Sequence, residues 1–301
     1  MKGKQPPRIA EAFICLKGVE DMSNVIGAII TDCADGPAQA RQELRFDTLF
    51  GVKPTFLGVG SYSPIEAAGN LVDQLDVLTR FPLVDRKRDN IVLVNVAPRA
   101  ADVKQKWDNG TPFCYFRIGN VLVVSTYEGH CLALVHDLGI TDEVGLLDIP
   151  TVTEAAIEWG DISIEEAQKI RHSQFRSLEF LPLVASWLWK VKPVPSQRQP
   201  LAGLASPSGQ VWQIDNFGNV KTTLLPENVS FEQGKKIPLY NGKVATCYRR
   251  LADVPKGATA LTIGSSGYGP HRFLEVVIGG CGQASSVHGF EIGSPVLKLP
   301  E

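Results

Sequence analysis

No stretch of the sequence stays apolar for the length that a membrane span requires. Its start, MKGKQPPRIAEAF, lacks the continuous apolar centre of a secretory leader. An excess of charge of one sign is also missing. Thirty Lys and Arg face 32 Asp and Glu, and the net charge of −2 gives no electrostatic case for nucleic acid or an anionic membrane as partner. The six cysteines (Cys15, Cys33, Cys114, Cys131, Cys247 and Cys281) include no C-x-x-C pair, so a disulfide framework is absent too. Free thiols fit a soluble protein in the reducing cytoplasm. Among the five histidines, His130, His136, His172, His271 and His288, no pair has metal-ligand spacing, and no metal site is expected.

What is there suits two domains, since 301 residues with 44% hydrophobic content can bury a core in each. Val25–Thr31 (VIGAIIT) is a short run rich in β-branched residues that ends in Asp32-Cys33-Ala34-Asp35-Gly36. That is a buried strand opening into a loop, the usual position of ligand contacts in a parallel sheet. Helical spacing follows over Pro37–Phe50 and stops at Gly51, and Pro54–Val59 is again a strand. Ser63-Pro64-Ile65-Glu66 has the form of a capping box opening a helix over Ile65–Leu78. Ile91–Val96, Phe113–Ile118 and Val121–Val124 read as strands, the last two as a hairpin about Gly119-Asn120. Cys131–Leu138 and the segment capped by Ser163 and Glu166 read as helices.

This alternation predicts an α/β domain over residues 1–189, with a largely parallel sheet and helices on both faces. Gly58-Val59-Gly60 lacks the third glycine and the acidic strand end of a dinucleotide fingerprint, which argues against a Rossmann cofactor. Residues 190–207, with four prolines, read as a linker. Residues 208–301 read as an all-β domain, a small antiparallel barrel or sandwich. Its signals are the Asn241-Gly242 hairpin and strands at Ala260–Ile263, Phe273–Ile278 and Pro295–Leu299.

The most informative segment is Val211–Leu224, VWQIDNFGNVKTTL. Two strands with period-2 alternation flank Asn216-Phe217-Gly218-Asn219, and Gly218 supplies the positive φ that a turn needs. Phe217 admits two readings: a ring tucked under a tight hairpin, or a stacking platform ringed by Asp215 and two asparagines. Asp32 also admits two, as a cap of the turn that follows it or as an acceptor for a vicinal diol.

D-x-F-G-N with a Thr-rich strand behind it resembles the carboxyl-domain signature of the S-adenosylmethionine hydroxide adenosyltransferases, relatives of the fluorinating and chlorinating enzymes. Ile30-Thr31-Asp32 is similar to the amino-terminal T-D motif of that family. Ile263-Gly264-Ser265-Ser266-Gly267 with Leu274-Glu275-Val276-Val277 is similar to its N-S-S-G…L-E-I-A segment. The resemblance implies that Asp32 binds ribose hydroxyls and that Asp215, Phe217 and Asn219 hold the adenosyl and methionine parts. It also implies that Ser265 and Ser266, with the adjacent backbone, hold the methionine carboxylate. S-adenosylmethionine would be substrate or ligand, no separate cofactor is implied, and the assembly would be a homotrimer with each pocket between two subunits.

The chain departs from the family where the chemistry lies. The strand ending in the family's V-D-P-G-V-G corresponds to Val94-Asn95-Val96-Ala97-Pro98-Arg99, so Asn95 replaces the aspartate, and Asp102 stands where an arginine is expected. Aligning Arg176 and Pro182 puts Gln174 at the family's histidine, with His172 two residues earlier. Arg99 and His172 are the candidate substitutes. His271 and Arg272, in residues extra to the family pattern, read as surface. Attack of water at the 5′ carbon of S-adenosylmethionine needs a group that accepts a proton, which a neutral amide does not do near pH 7. Three readings follow: an S-adenosylmethionine-binding protein retaining adenosyl transfer, a catalytically degenerate sensor or scaffold for S-adenosylmethionine or adenosine, or the same fold turned to an unrelated ligand.

Overall fold

The computed structural model describes residues 25–80, 88–96, 111–127, 129–280 and 282–298. The first strand, β1 (Val25–Thr31), is buried along nearly its whole length because helices cover both faces of its sheet. Asp35 accepts from the Ala38 N–H to cap α1 (Gly36–Phe50), and Gly51 ends that helix with φ 70°. β2 (Thr55–Gly58) leads to α2 (Pro64–Arg80), then to β3 (Asp89–Asn95). The hairpin of β4 (Phe113–Ile118) and β5 (Val121–Thr126) precedes α3 (Ala133–Asp137) and β6 (Glu143–Leu147). α4 (Ile149–Glu158), α5 (Ile164–His172), α6 (Arg176–Glu179) and α7 (Leu181–Trp189) follow, and β7 (Gln197–Pro200) completes the unit. Ser163 and Glu166 form the expected capping box at the start of α5.

The sheet order is β2-β1-β3-β5-β4-β6-β7. β1 pairs in parallel with β2 and β3, and β3 in parallel with β5, whereas β4, β6 and β7 are antiparallel. The chain moves outward from β1 to β2 and then crosses back to β3 on the other side. The ends of β1 and β3 therefore lie at a topological switch point, where open α/β sheets bind ligands. One face packs Ile29, Phe46, Leu93 and Val184 with their neighbours, and the other Ile30, Leu71, Val94 and Leu132 with theirs.

The carboxyl-terminal sheet contains β8 (Val211–Ile214), β9 (Val220–Thr222), β10 (Lys236–Pro238), β11 (Val244–Tyr248), β12 (Thr259–Tyr268) and β13 (His271–Ile278). Its order is β10-β11-β12-β13-β9-β8, antiparallel throughout except for the β11–β12 pair. A short helix, α8 (Ala284–His288), packs beside β13. The expected α/β plus all-β architecture is what the chain adopts.

Three local expectations fail for physical reasons. Glu66 does not close a capping box with Ser63; its Oε2 reaches back to the Gly60 N–H at 2.8 Å. The described part of the expected strand Pro295–Leu299, residues 295–298, gives bridges instead of a strand: Pro295 pairs with Gln210 and Leu297 with Leu239, joining the two edges of the sheet. Within the stretch read as linker, Gln197–Pro200 pairs with β6 as the edge strand of the sheet, where Pro200 and its missing N–H are tolerated.

The two units meet along α2. Ala68 and Val72 pack with Leu134, Leu138 and Phe273, and Gly69 lies flat under the Trp212 ring. A Cβ on Gly69 would come within 2.2 Å of that indole, so only glycine permits the approach.

Candidate functional site

Thr31 and Asn95 stand opposite each other in the β1–β3 register, and the Asn95 Nδ2 donates to Thr31 Oγ1 at 3.4 Å. Both are buried, and both lie two residues beyond core positions (Ile29 and Leu93), so they share one face of the sheet. Thr126 continues that row and is paired with Phe113 on β4. Asp32, half-buried, leaves the end of β1. One carboxylate oxygen accepts from the Tyr62 N–H at 3.3 Å, and the other faces the Cys33 thiol at 3.8 Å. Burial, and then the Asp32 charge, push the Cys33 thiol above its ordinary pKa, so it is no ready thiolate. The same two causes push the buried Cys131 thiol up to about 12. Cys33, Cys114, Cys131 and Cys247 are free.

On the carboxyl side Asp215 organises its own turn. Its Oδ1 accepts from the Phe217 and Asn219 N–H groups at 2.8 and 2.9 Å, and its Oδ2 from Asn219 Nδ2 at 3.0 Å. The turn is thereby closed around Gly218, whose φ is 78°. Phe217 is not tucked under the loop: it is 69% exposed. Of the two readings of this residue, the buried one is therefore wrong.

The Ser265-Ser266-Gly267 segment has a different fate. Ser266 is buried and accepts from Lys221 Nζ at 2.8 Å, while the Gly267 N–H donates to Asp73 Oδ1 of α2 at 2.9 Å. Lys221 also lies 3.9 Å from Glu275 Oε1 and 5.6 Å from the centre of the Trp212 ring. Desolvation raises the pKa of both Asp73 and Glu275, with Lys221 opposing it. Arg272 is not a surface residue. It forms a fork with Asp76, at 2.9 Å from Nη1 and 3.0 Å from Nη2, with both side chains largely buried. Desolvation pushes Asp76 up, but the Arg272 hydrogen bonds, that of the Gly269 N–H and the Arg272 and Arg80 charges outweigh it, leaving a lowered pKa.

The structure thus brings Thr31, Asp32 and Asn95 together at the switch point and groups Asp215, Phe217 and Asn219 on one hairpin. Ser265 is exposed and Ser266 is turned inward. His172 ends α5 with its Nδ1 2.8 Å from the Gln168 carbonyl oxygen, and Gln174 is exposed in the loop that follows. Arg99 and Asp102 lie outside the described residues. Among the described residues no group of His, Cys, Asp and Glu is arranged to hold a metal, and no helix is long and apolar enough to cross a membrane. Sequence reasoning missed Lys221, Asp73 and Asp76, whose contacts span far-apart segments and leave no local pattern.

This architecture, an α/β unit with a polar switch point joined to an all-β unit with a presented aromatic, has known counterparts. Residues 209–297 match the SAM hydroxide adenosyltransferase C-terminal domain family. A curated protein of Thermus thermophilus, named (R)-S-adenosyl-L-methionine hydrolase, is 35% identical over 105 residues. Those residues make up 34% of this chain and 36% of the relative, so the chain matches about a third of that protein's length. The likeness to this family is carried by the carboxyl-terminal domain, over residues 209–297. Two solved structures share the fold. An uncharacterized conserved protein from Thermotoga maritima has a TM-score of 0.61 at 15% identity, covering 91% of this chain and 100% of its own. A conserved hypothetical protein from Thermus thermophilus has a TM-score of 0.55 at 20% identity, with the same coverage.

Proposed function

We propose that the chain binds S-adenosylmethionine or its adenosyl portion, with Phe217 stacking on the base and Asp32 accepting from the ribose hydroxyls. The observation that carries this reading is Phe217 itself, 69% exposed at the tip of a hairpin held rigid by Asp215. An exposed aromatic on a fixed backbone presents its face to a ligand with little ordering cost. The family match over residues 209–297 and the name of the Thermus relative supply the ligand class. By the same resemblance the protein is a homotrimer whose pocket joins the amino domain of one subunit to the carboxyl domain of the next, and its scattered thiols suit the reducing cytoplasm.

The reaction open to such a site is attack of water on the 5′ carbon, releasing adenosine and methionine. Asn95 favours a second reading. It is buried at the switch point beside Thr31, and an amide orients water without taking its proton. Loss of a general base commonly costs two to four orders of magnitude, roughly 3–5 kcal/mol of barrier. The second reading is therefore a binder without turnover, a sensor or scaffold. Calorimetric titration with S-adenosylmethionine and with adenosine, on samples assayed for adenosine release, separates the two. Binding with release identifies an enzyme and directs attention to His172 and Arg99 as substitute groups. Binding without release identifies a sensor or scaffold, and no binding to either compound sinks both readings.

A further inference from the structure

Two carboxylates and one ammonium of the chain itself meet the segment Ser265-Ser266-Gly267. Asp73 Oδ1 accepts from the Gly267 N–H at 2.9 Å, and the Ser266 hydroxyl also stabilises that carboxylate. The Ser265 N–H stabilises the carboxylate of Glu275. Lys221 supplies the ammonium: its Nζ donates to Ser266 Oγ at 2.8 Å and lies 3.9 Å from Glu275 Oε1. Only 16% of the Lys221 side chain and 13% of that of Glu275 are exposed, so these charges are largely withdrawn from water.

This group is continuous with the Phe217 hairpin. Lys221 follows the hairpin on β9 and stands opposite Glu275 in the β9–β13 register. The Asp215 charge acts on Glu275, while Asp215 spends both of its oxygens on its own turn. An amino-acid tail needs donors for its carboxylate and acceptors for its ammonium. Here Asp73 and Glu275 stand at the donors of the segment, and Lys221 stands at an acceptor of the same segment. A ligand carboxylate that took the Gly267 N–H would leave Asp73 without it, in a place already short of water. Breaking up partners of this kind costs more than the new contacts return. What the hairpin leaves open is the Phe217 ring, which stacks on a base and asks nothing of a tail.

We propose that the site at the Phe217 hairpin takes an uncharged adenosyl compound and discriminates against one bearing an amino-acid tail, with Asp73, Glu275 and Lys221 as the specificity-determining residues. The inference rests on the adenosyl reading of Phe217 and narrows it, from S-adenosylmethionine or its adenosyl portion to the adenosyl portion alone.

Calorimetric titration of the full chain with 5′-methylthioadenosine and with S-adenosylhomocysteine tests it, since both are neutral at sulfur and only the second carries the amino-acid tail. Wild type should bind the first compound at least about 10-fold more tightly, the discrimination expected where charged hydrogen bonds must break to admit the tail. Asp73→Ala frees the Gly267 N–H and removes one of the two carboxylates. It should shift the affinity ratio toward S-adenosylhomocysteine by about 3- to 10-fold, and Asp73→Asn, which keeps an acceptor on Gly267, should shift it less. S-adenosylhomocysteine bound by wild type as tightly as 5′-methylthioadenosine, with both weakened in Phe217→Ala, would overturn the inference and leave the adenosyl reading standing. A ratio that a folded Asp73→Ala variant leaves unchanged would overturn the role given to Asp73. No binding of either compound would sink the adenosyl reading, and this inference with it.

Discussion

Two segments of the carboxyl-terminal domain, the turn at Gly218 and the register shift of β12 that ends at Gly267, each with a positive-φ glycine and each implied by resemblance to touch the ligand, face opposite ways. At Gly218 the acceptor is local: Asp215 closes the hairpin from within, and the tip residue Phe217 is left facing solvent. At Gly267 the acceptor is distant: Asp73 of α2 takes the N–H that a bound anion would otherwise receive, and Lys221 takes the neighbouring Ser266 hydroxyl. One turn presents a surface, and the other is filled by the chain's own side chains. The same backbone device thus makes a candidate ligand contact in one place and a domain lock in the other. What decides between them is whether the satisfying carboxylate comes from the turn or from across the interface.

If that contrast holds, substitutions on the locked side change stability, and substitutions at the presented tip change binding. The largest effect should come from Arg272→Met. It leaves Asp76, in a site where only 9% of its side chain is exposed, with the Gly269 N–H and the more distant Arg80 in place of the fork, and breaking one partner of a buried pair typically costs about 3–5 kcal/mol. Urea denaturation should register the loss in full, and a loss under about 1 kcal/mol would mean that the fork does not hold the β12–β13 hairpin to α2.

Next in size is Asp215→Ala, which removes the acceptor of three hydrogen bonds in one turn. Exposed and half-buried bonds of this kind are worth about 1 kcal/mol each at most, so a loss of about 1–3 kcal/mol of stability is expected. The affinity for any ligand stacked on Phe217 should fall with it. Phe217→Ala should do the reverse: stability within about 0.5 kcal/mol of wild type, because the ring is already in water, and adenosyl-ligand binding weaker by about 1–3 kcal/mol. Unchanged affinity in the Phe217 variant would leave the hairpin as a structural turn only.

The contrast also explains how far the sequence could be read. β1, α1 with Gly51, the α5 capping box and the Asn241-Gly242 hairpin rest on neighbours a few residues apart, and their signals are local. The D-N-F-G-N turn is legible for the same reason. The other turn is not, because Asp73 and Gly267 are 194 residues apart and nothing in either segment announces the other. Arg272 reads as a charged residue beside a turn and so as surface. Its fork with Asp76 exists only once the β12–β13 hairpin lies on α2. Arg176 serves in the sequence as a landmark for alignment, and its lack of a carboxylate partner among the described residues is visible only when the chain around it is folded.

The smallest effect, and the one that bears most directly on the locked turn, is its pH dependence. Desolvation raises the folded-state pKa of Asp73, hydrogen bonds from the Gly267 N–H and Ser266 and the Lys221 charge oppose it, and the Asp76 charge adds to it. Glu275 is raised likewise, with Asp215 and Asp73 adding to its desolvation and Lys221 opposing. A carboxylate whose pKa is higher folded than unfolded binds more protons in the native state between the two values. Its contribution to stability is therefore fullest below the unfolded pKa and is lost as pH rises through the folded one. Asp76 has the opposite sign: its pKa is lowered, so its contribution is present above the unfolded value and lost in acid. Asp73→Asn isolates the first effect, because the amide oxygen still accepts from Gly267 while the desolvated charge is gone. Measured by urea unfolding from pH 4 to pH 8, the stability of the variant minus that of wild type should grow as pH rises above the usual carboxylate range. A difference that shrinks with pH would mean that attraction to Lys221 outweighs desolvation. The turn at Gly267 would then be held by an ion pair instead of by a neutral-preferring carboxyl.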